Sequence, residues 1–147
     1  MDDFIFPPCE LKLKKESGKT TIFDIIRKKY IVLTAEEWIR QHLVHFMVNE
    51  LKYPRSLIAV EDGLSLNSMQ KRSDVVVYDR AGNIFLVVEC KSIKVKLTQK
   101  TMDQLSAYNQ HYKARYLVIT NGLELLICRM DYEGKKSEFV TRFPDLP

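Results

Sequence analysis

Apolar residues along the chain fall into short blocks, and the period of each block says what it forms. The clearest lie in the middle. Asp74-Val75-Val76-Val77-Tyr78 is β-branched, the turn Asp79-Arg80-Ala81-Gly82-Asn83 follows, and Ile84 to Lys91 is a second apolar run. These read as an antiparallel hairpin. Further on, Tyr116 to Thr120 has the composition of a buried strand, and Asn121-Gly122 predicts a hairpin turn into a strand over residues 123–130. Two segments show helical spacing instead. Thr34-Ala35-Glu36-Glu37 has the form of a capping box, and Ile39, Leu43, Phe46, Met47 and Leu51 then recur at threes and fours until Pro54, predicting a helix over about 35–51. A second helix is expected from Thr98 to near Lys113, with Met102, Leu105, Tyr108 or Asn109, and Tyr112 on one face. Residues 10–23 alternate weakly around Ser17-Gly18 and suggest a hairpin or two edge strands. Residues 57–60 suggest a short strand, 61–72 a strand edge and loop, and the tail holds at most one short strand around Phe139.

The resulting order is a mixed sheet flanked by helices, α+β with an α/β-like centre. A chain of 147 residues, 46% hydrophobic with five Gly and five Pro, matches one globular domain. Within it, 1–32 is an N-terminal strand extension, 33–130 the core and 131–147 a C-terminal tail. No run of eighteen apolar residues is present, so no membrane association is expected and a cytoplasmic location fits. Cys9, Cys90 and Cys128 lack metal or disulfide spacing. Ser17-Gly18-Lys19-Thr20 resembles the end of a phosphate loop, but Leu13 stands where its first glycine belongs. A nucleotide site is rejected there.

The chemistry-bearing pattern is Asp74, then Glu89-Cys90-Lys91, then Gln104 and Tyr108. Alternation along the second central strand predicts Phe85, Val87, Glu89 and Lys91 on one face, with Val88 and Cys90 on the other. Hairpin pairing then brings Asp74, at a strand start, opposite Glu89 and Lys91, at a strand end. Two carboxylates and the Cys90 carbonyl offer hard oxygen ligands that suit Mg²⁺ or Mn²⁺. An ion held there polarises a phosphodiester and activates water, with Lys91 orienting that water or stabilising developing charge. Gln104 and Tyr108, four apart on a helix, project to one side. The bland alternative for each is ordinary: a solvated Glu-Lys pair, a turn Asp, a core Tyr. A charged pair ending a strongly apolar strand, however, costs desolvation unless partnered.

These residues resemble the PD-(D/E)XK nuclease superfamily, and more narrowly the N-terminal nuclease-like domain of type I restriction enzyme restriction subunits. The likeness runs from about Phe23 to Met130. It is carried by Phe23–Lys29, Leu33–Gln41, Arg72–Tyr78, Val88–Lys91, Gln104–Tyr108 and Tyr116–Gly122. It implies a restriction-endonuclease-like fold and a metal-dependent endodeoxyribonuclease, with Asp74, Glu89 and Lys91 at metal and catalytic positions and Gln104 and Tyr108 as the supporting QxxxY pair. Glu37 matches an acid that several members aim at the metal, with Glu36 an adjacent rival. Ser73 replaces the proline of the superfamily's name. No helicase motif or phosphate loop is present, so ATP is not an expected cofactor. The chain is read as a free-standing nuclease-like protein or a separately encoded piece, with DNA and restriction or translocase subunits as partners. Double-strand cleavage would need two sites and hence a homodimer. Arg72, Lys94, Lys96 and Lys100 are expected to rim the site as nucleic-acid contacts. The alternatives are a catalytically silent DNA- or protein-binding module of the same fold, and a structural ion-pair network.

Overall fold

The computed structural model describes residues 4–60, 75–110 and 112–147, with Tyr108 described by its backbone alone. Asp74, Arg72 and the stretch expected to be a strand edge and loop lie outside those residues.

The expected hairpin at the N-terminus forms as β1 (Leu13–Glu16) and β2 (Lys19–Asp24), paired from Leu13↔Ile22 to Glu16↔Lys19. Its two-residue turn needs positive φ at both positions, and Ser17 (51°) and Gly18 (80°) supply it. A third strand that alternation did not suggest, β3 (Lys29–Val32), pairs with β2. It depends on Asp24: the Oδ1 atom accepts hydrogen bonds from Ile26 N (2.8 Å) and Arg27 N (3.0 Å), which closes the turn ahead of β3. The sidechain-to-backbone turn is local chemistry that periodicity does not register.

Helix α1 (Ala35–Asn49) begins where its cap was expected, with Thr34 Oγ1 accepting from Glu37 N at 3.0 Å. The Glu37 carboxylate, however, bonds Arg40 and Gln41 side chains. Ile39, Leu43, Val44 and Met47 form its buried stripe. A 3-10 turn at Arg55–Leu57 then leads into β4 (Ile58–Val60).

The main sheet runs β4-β5-β6-β7-β8-β9 in chain order, with β5 (Val75–Tyr78), β6 (Ile84–Cys90), β7 (Tyr116–Thr120), β8 (Leu125–Asp131) and β9 (Lys136–Val140). All neighbours are antiparallel except β6 and β7, whose parallel pairing requires the crossover through α2 (Gln99–Tyr108). The fold is therefore α+β: two helices among the described residues, a six-stranded mixed sheet and an N-terminal three-stranded antiparallel sheet.

Two cores sandwich the main sheet. Val75, Val77, Leu86 and Val88 join α1 residues on one side, while Val76, Val87, Leu117 and Ile119 meet Met102 and Leu105 of α2 on the other. Each fully buried aliphatic side chain contributes about 1.5–3 kcal/mol. The strands β6 and β7 are buried on both faces, which is why they read as continuous apolar runs. The Asn121-Gly122 turn differs from the expected two-residue form. Thr120 pairs with Leu125, leaving a four-residue loop closed by Asn121 Oδ1, which accepts from Leu123 N (2.9 Å) and Glu124 N (2.8 Å).

Candidate functional site

One side chain on β6 departs from the expected alternation. The register steps from Val77↔Leu86 to Tyr78↔Ile84, so Phe85 is an extra, bulged residue. Phe85 therefore joins the α1-side core, against Tyr53 and Tyr116, and does not share a face with Val87. Beyond the bulge the alternation holds. Val88 and Cys90 face α1, Val87 faces α2, and Glu89 follows Val87 to the α2 side.

Glu89 and Lys91 do emerge side by side. Lys91 Nζ lies 2.6 Å from Glu89 Oε2, with the two side chains 25% and 13% exposed respectively. An ion pair so withdrawn from water is more strongly coupled than a surface pair. The strand fixes Glu89 opposite Ile119 of β7, and Lys91 N donates to Thr120 O at 2.8 Å just past the last ladder pair. The pair thus sits where the parallel strands β6 and β7 both end, the customary ligand side of such strands. On the other flank, Val75 of β5 pairs with Val88, one residue before Glu89.

The loop after Lys91 is tied down by a residue not singled out from the sequence. Buried Asn121 donates from Nδ2 to Val95 O at 2.7 Å, and the loop closes on itself through Val95 N to Ser92 O at 2.9 Å. Asn121-Gly122 was legible only as a turn signal. Its second duty, holding the backbone beyond Lys91, spans 26 residues and leaves no local pattern.

The remaining candidates fall in several places. Lys94, Lys96 and Lys100 are exposed. Gln104 is exposed on α2, while Met102 and Leu105 are the buried face of that helix. Thr98 caps α2 reciprocally with Thr101. Glu37 is buried, and its carboxylate meets Arg40, Gln41 (2.7 Å) and Arg27 (3.6 Å); no contact with Glu89 or Lys91 is formed among the described residues. Glu36 is exposed. His42 packs against Trp38 and Phe4, as ordinary core placement requires. Among the described residues no three His, Cys, Asp or Glu side chains converge to hold a metal.

A separate electrostatic centre ties the N-terminal sheet to α1. Asp24, fully buried, receives Arg27 Nε at 2.7 Å, and Arg27 Nη2 reaches Glu37. Burial would raise the Asp24 pKa, but the hydrogen bonds from Arg27 and Ile26 outweigh it and hold the carboxyl below its ordinary range. An apolar cleft of about 380 Å³ lies between the start of α1 and Ile93, lined by Phe4, Leu33, Trp38 and Ile39. Its one hydroxyl, on Thr34, is committed to the helix cap. No ionisable side chain lines this cleft.

The family described as type I restriction enzyme R protein N terminus (HSDR_N) matches residues 35–144, about three quarters of the chain. The chain belongs to this family. Its match spans α1 through the whole main sheet and includes Glu89, Lys91, Gln104 and Tyr108; β1–β3 precede it. No curated protein matches the chain. Among the described residues no helix is long and apolar enough to cross a membrane.

Proposed function

We propose that this member of the restriction R-subunit family is a metal-dependent DNA endonuclease domain whose active site is built around Glu89 and Lys91. The observation that carries the reading is the 2.6 Å carboxylate-ammonium pair at the end of a doubly buried strand, inside the family-matched region. The donor chemistry fits a hard divalent cation: the Glu89 carboxylate and the Cys90 carbonyl are oxygen ligands of the type Mg²⁺ and Mn²⁺ take. Asp74 is assigned as the second carboxylate on the motif alone, since it immediately precedes Val75 in the chain. When bound, the ion supplies Lewis-acid polarisation of the phosphodiester and a water of lowered pKa.

The chain's own residues do the rest. Lys91 changes partner: it neutralises Glu89 when the site is at rest, and it stabilises the charge developing on the phosphate oxygens during hydrolysis. Thr120 O and Asn121 keep its backbone in place through the two hydrogen bonds described above. Gln104 and Tyr108, assigned by motif, orient the Lys91 end of the site or bind phosphate. Glu37 serves structure in this reading, because arginines and Gln41 hold its carboxylate. DNA and separately encoded restriction or translocase subunits are the partners. Cutting both strands would need a second copy of the site, hence a dimer.

The same short Lys91–Glu89 distance favours one rival, a silent module in which the pair is structural. The test is incubation of supercoiled and linear DNA with the protein and Mg²⁺ or Mn²⁺, beside Lys91→Ala and Asp74→Asn. Cleavage by the parent that both variants lack supports the reading. No cleavage across a range of salt, together with no heat of Mg²⁺ or Mn²⁺ binding, sinks it.

A further inference from the structure

The formal charge of +4 has a definite address. Residues 10–32 hold six lysines and one arginine against three acids, so this segment accounts for the whole excess and the rest of the chain is balanced. One of those acids, Asp24, is buried and neutralised by Arg27. The cationic face of the molecule is therefore the β1–β3 sheet, which precedes the family match.

Register shows what that face carries. Lys14 pairs with Thr21, Glu16 with Lys19, Phe23 with Tyr30, and Thr21 with Val32, while Phe23 N donates to Lys12 O. Paired residues share a face, so Lys12, Lys14, Lys19, Phe23, Tyr30 and Val32 lie together, with Glu16 among them and its carboxylate 3.5 Å from Lys14 Nζ. The opposite face buries Ile22 and Asp24, with no exposed surface on either. The outward face is thus not the core side, and the one buried residue on it, Thr21, turns its hydroxyl back to donate to Lys14 O at 2.9 Å. Its two rings are partly buried and meet edge to face, with centroids 5.2 Å apart. Lys14 Nζ stands 4.3 Å from the Tyr30 centroid and Lys12 Nζ 5.8 Å from that of Phe23. Val32 is 51% exposed beside them.

Partly exposed rings on a sheet, flanked by ammonium groups, match what a single nucleic-acid strand requires: cations for phosphates and a flat apolar platform for an unstacked base. A duplex, whose bases are stacked inside, has use for the lysines but not for the rings. We propose that the outer face of β1–β3 binds single-stranded DNA, with Lys12, Lys14 and Lys19 on the phosphates and the Tyr30–Phe23 pair as a stacking platform. The proposal shares with the nuclease reading only the class of ligand. Lysine stems that merely shield the rings would produce the same contacts, so stacking and charge must be tested separately.

The experiment is fluorescence anisotropy of a labelled thymidine oligonucleotide, and of a labelled duplex, titrated with the full chain in EDTA at several salt concentrations. Lys12→Glu/Lys14→Glu is expected to weaken binding of both by about tenfold or more and to flatten the single-strand log-affinity against log-salt slope by about 1.4, roughly 0.7 per lost phosphate contact. Tyr30→Leu, which keeps the apolar contact with Phe23, is expected to weaken single-strand binding about fivefold to a hundredfold and to leave duplex binding unchanged. If the charge reversal disturbs the fold by circular dichroism, Lys12→Gln/Lys14→Gln gives the same direction with a smaller loss. Absence of binding by the parent, or affinity indifferent to the lysine variants, overturns the proposal. A neutral Tyr30→Leu overturns the single-strand assignment. A parent that binds strands but does not cut on adding Mg²⁺ sinks the nuclease reading alone, whereas a parent that cuts while all these variants bind normally sinks this proposal alone.

Discussion

Replacing Asp24 by Asn probes the joint between the N-terminal sheet and α1. The carboxylate is fully buried and accepts three hydrogen bonds, from Ile26 N, Arg27 N and Arg27 Nε. An asparagine of the same shape can keep its oxygen on the two backbone N–H groups, but it turns an NH₂ toward the guanidinium, a donor facing a donor. Breaking one partner of a buried pair costs about 3–5 kcal/mol. Arg27 retains Glu37 at 3.6 Å and is 13% exposed, so its charge is not stranded and the lower end, about 3 kcal/mol, is expected. For a chain near this length that corresponds to a fall in Tm of about 6–12 °C. The pH dependence follows from the depressed folded pKa. The native fold holds the proton less readily than the unfolded chain, so the Asp24 contribution is complete above about pH 4 and is lost as the pH falls through the lower folded value. Urea unfolding followed by circular dichroism and by the fluorescence of Trp38, the one tryptophan, measures both effects. A variant within about 0.5 kcal/mol of the parent at pH 7, or a deficit undiminished in strong acid, would refute the account.

Other consequences can be checked in the same way. Glu89→Gln is expected to abolish any rise in Tm on adding Mg²⁺ or Mn²⁺, a rise worth about 2.7 kcal/mol at a hundredfold excess over Kd; if it lowers the metal-free Tm and changes nothing else, the pair is structural. Tyr132→Phe removes the hydroxyl that donates to Ala114 O and accepts from Asn109 Nδ2 at 2.7 Å, and should destabilise the chain by about 1–3 kcal/mol in a urea melt. Gly122→Ala places a Cβ 2.6 Å from a Phe4 ring carbon at a φ of +90°, so a loss of at least about 1 kcal/mol is expected, and a neutral result contradicts that close approach. Burial first, then electrostatic interaction with His42 and Arg55, lowers the His45 pKa. The unfolded chain therefore takes up a proton that the fold resists, and stability declines as the pH falls below about 6.5. His45→Gln should flatten that decline in melts between about pH 7 and 5.

Most of the main sheet was legible because its determinants are local. The β-branched run at Val75–Tyr78, the continuous apolar run of β6 and the cap at Thr34 each announce themselves within a few residues. What escaped is chemistry that depends on distant or single side chains. Strand β3 follows from one aspartate closing a turn, with no alternation to betray it. Asn109 looked like a candidate for the apolar face of α2, and it is buried; yet its Oδ1 accepts from Ala114 N at 3.1 Å and its amide reaches Tyr132, so it caps the helix exit with polar bonds. Phe85 broke parity because a bulge lets both Phe85 and Leu86 face α1, and a packing gain against Tyr53 and Tyr116 has no signature in a period-two pattern.

The bulge also bears on why Glu89 and Lys91 are readable as a pair. Strand β6 must satisfy two cores and a polar end at once, and a strict alternation from Ile84 would put Phe85 among the smaller α2-side residues. Absorbing one residue at Phe85 lets the large ring leave that face while Val87 and Glu89 keep it. The adjustment lies four residues upstream, so the end of the strand keeps regular parallel pairing through Glu89↔Ile119 and Cys90↔Thr120. A carboxylate on such a fixed backbone, with its ammonium one pleat on, loses little entropy on engaging a ligand. In the proposed metal-binding reading the short Lys91–Glu89 contact sets the terms for any cation: it meets a carboxylate whose Oε2 is already bonded to an ammonium, and the two cations compete for one negative charge. Weak metal affinity at rest, strengthened when a phosphate offers Lys91 a second anion, follows from that competition. A Mg²⁺ titration with and without a non-cleavable DNA strand would expose it as tighter binding in the presence of DNA, and equal affinities in the two titrations would rule the competition out.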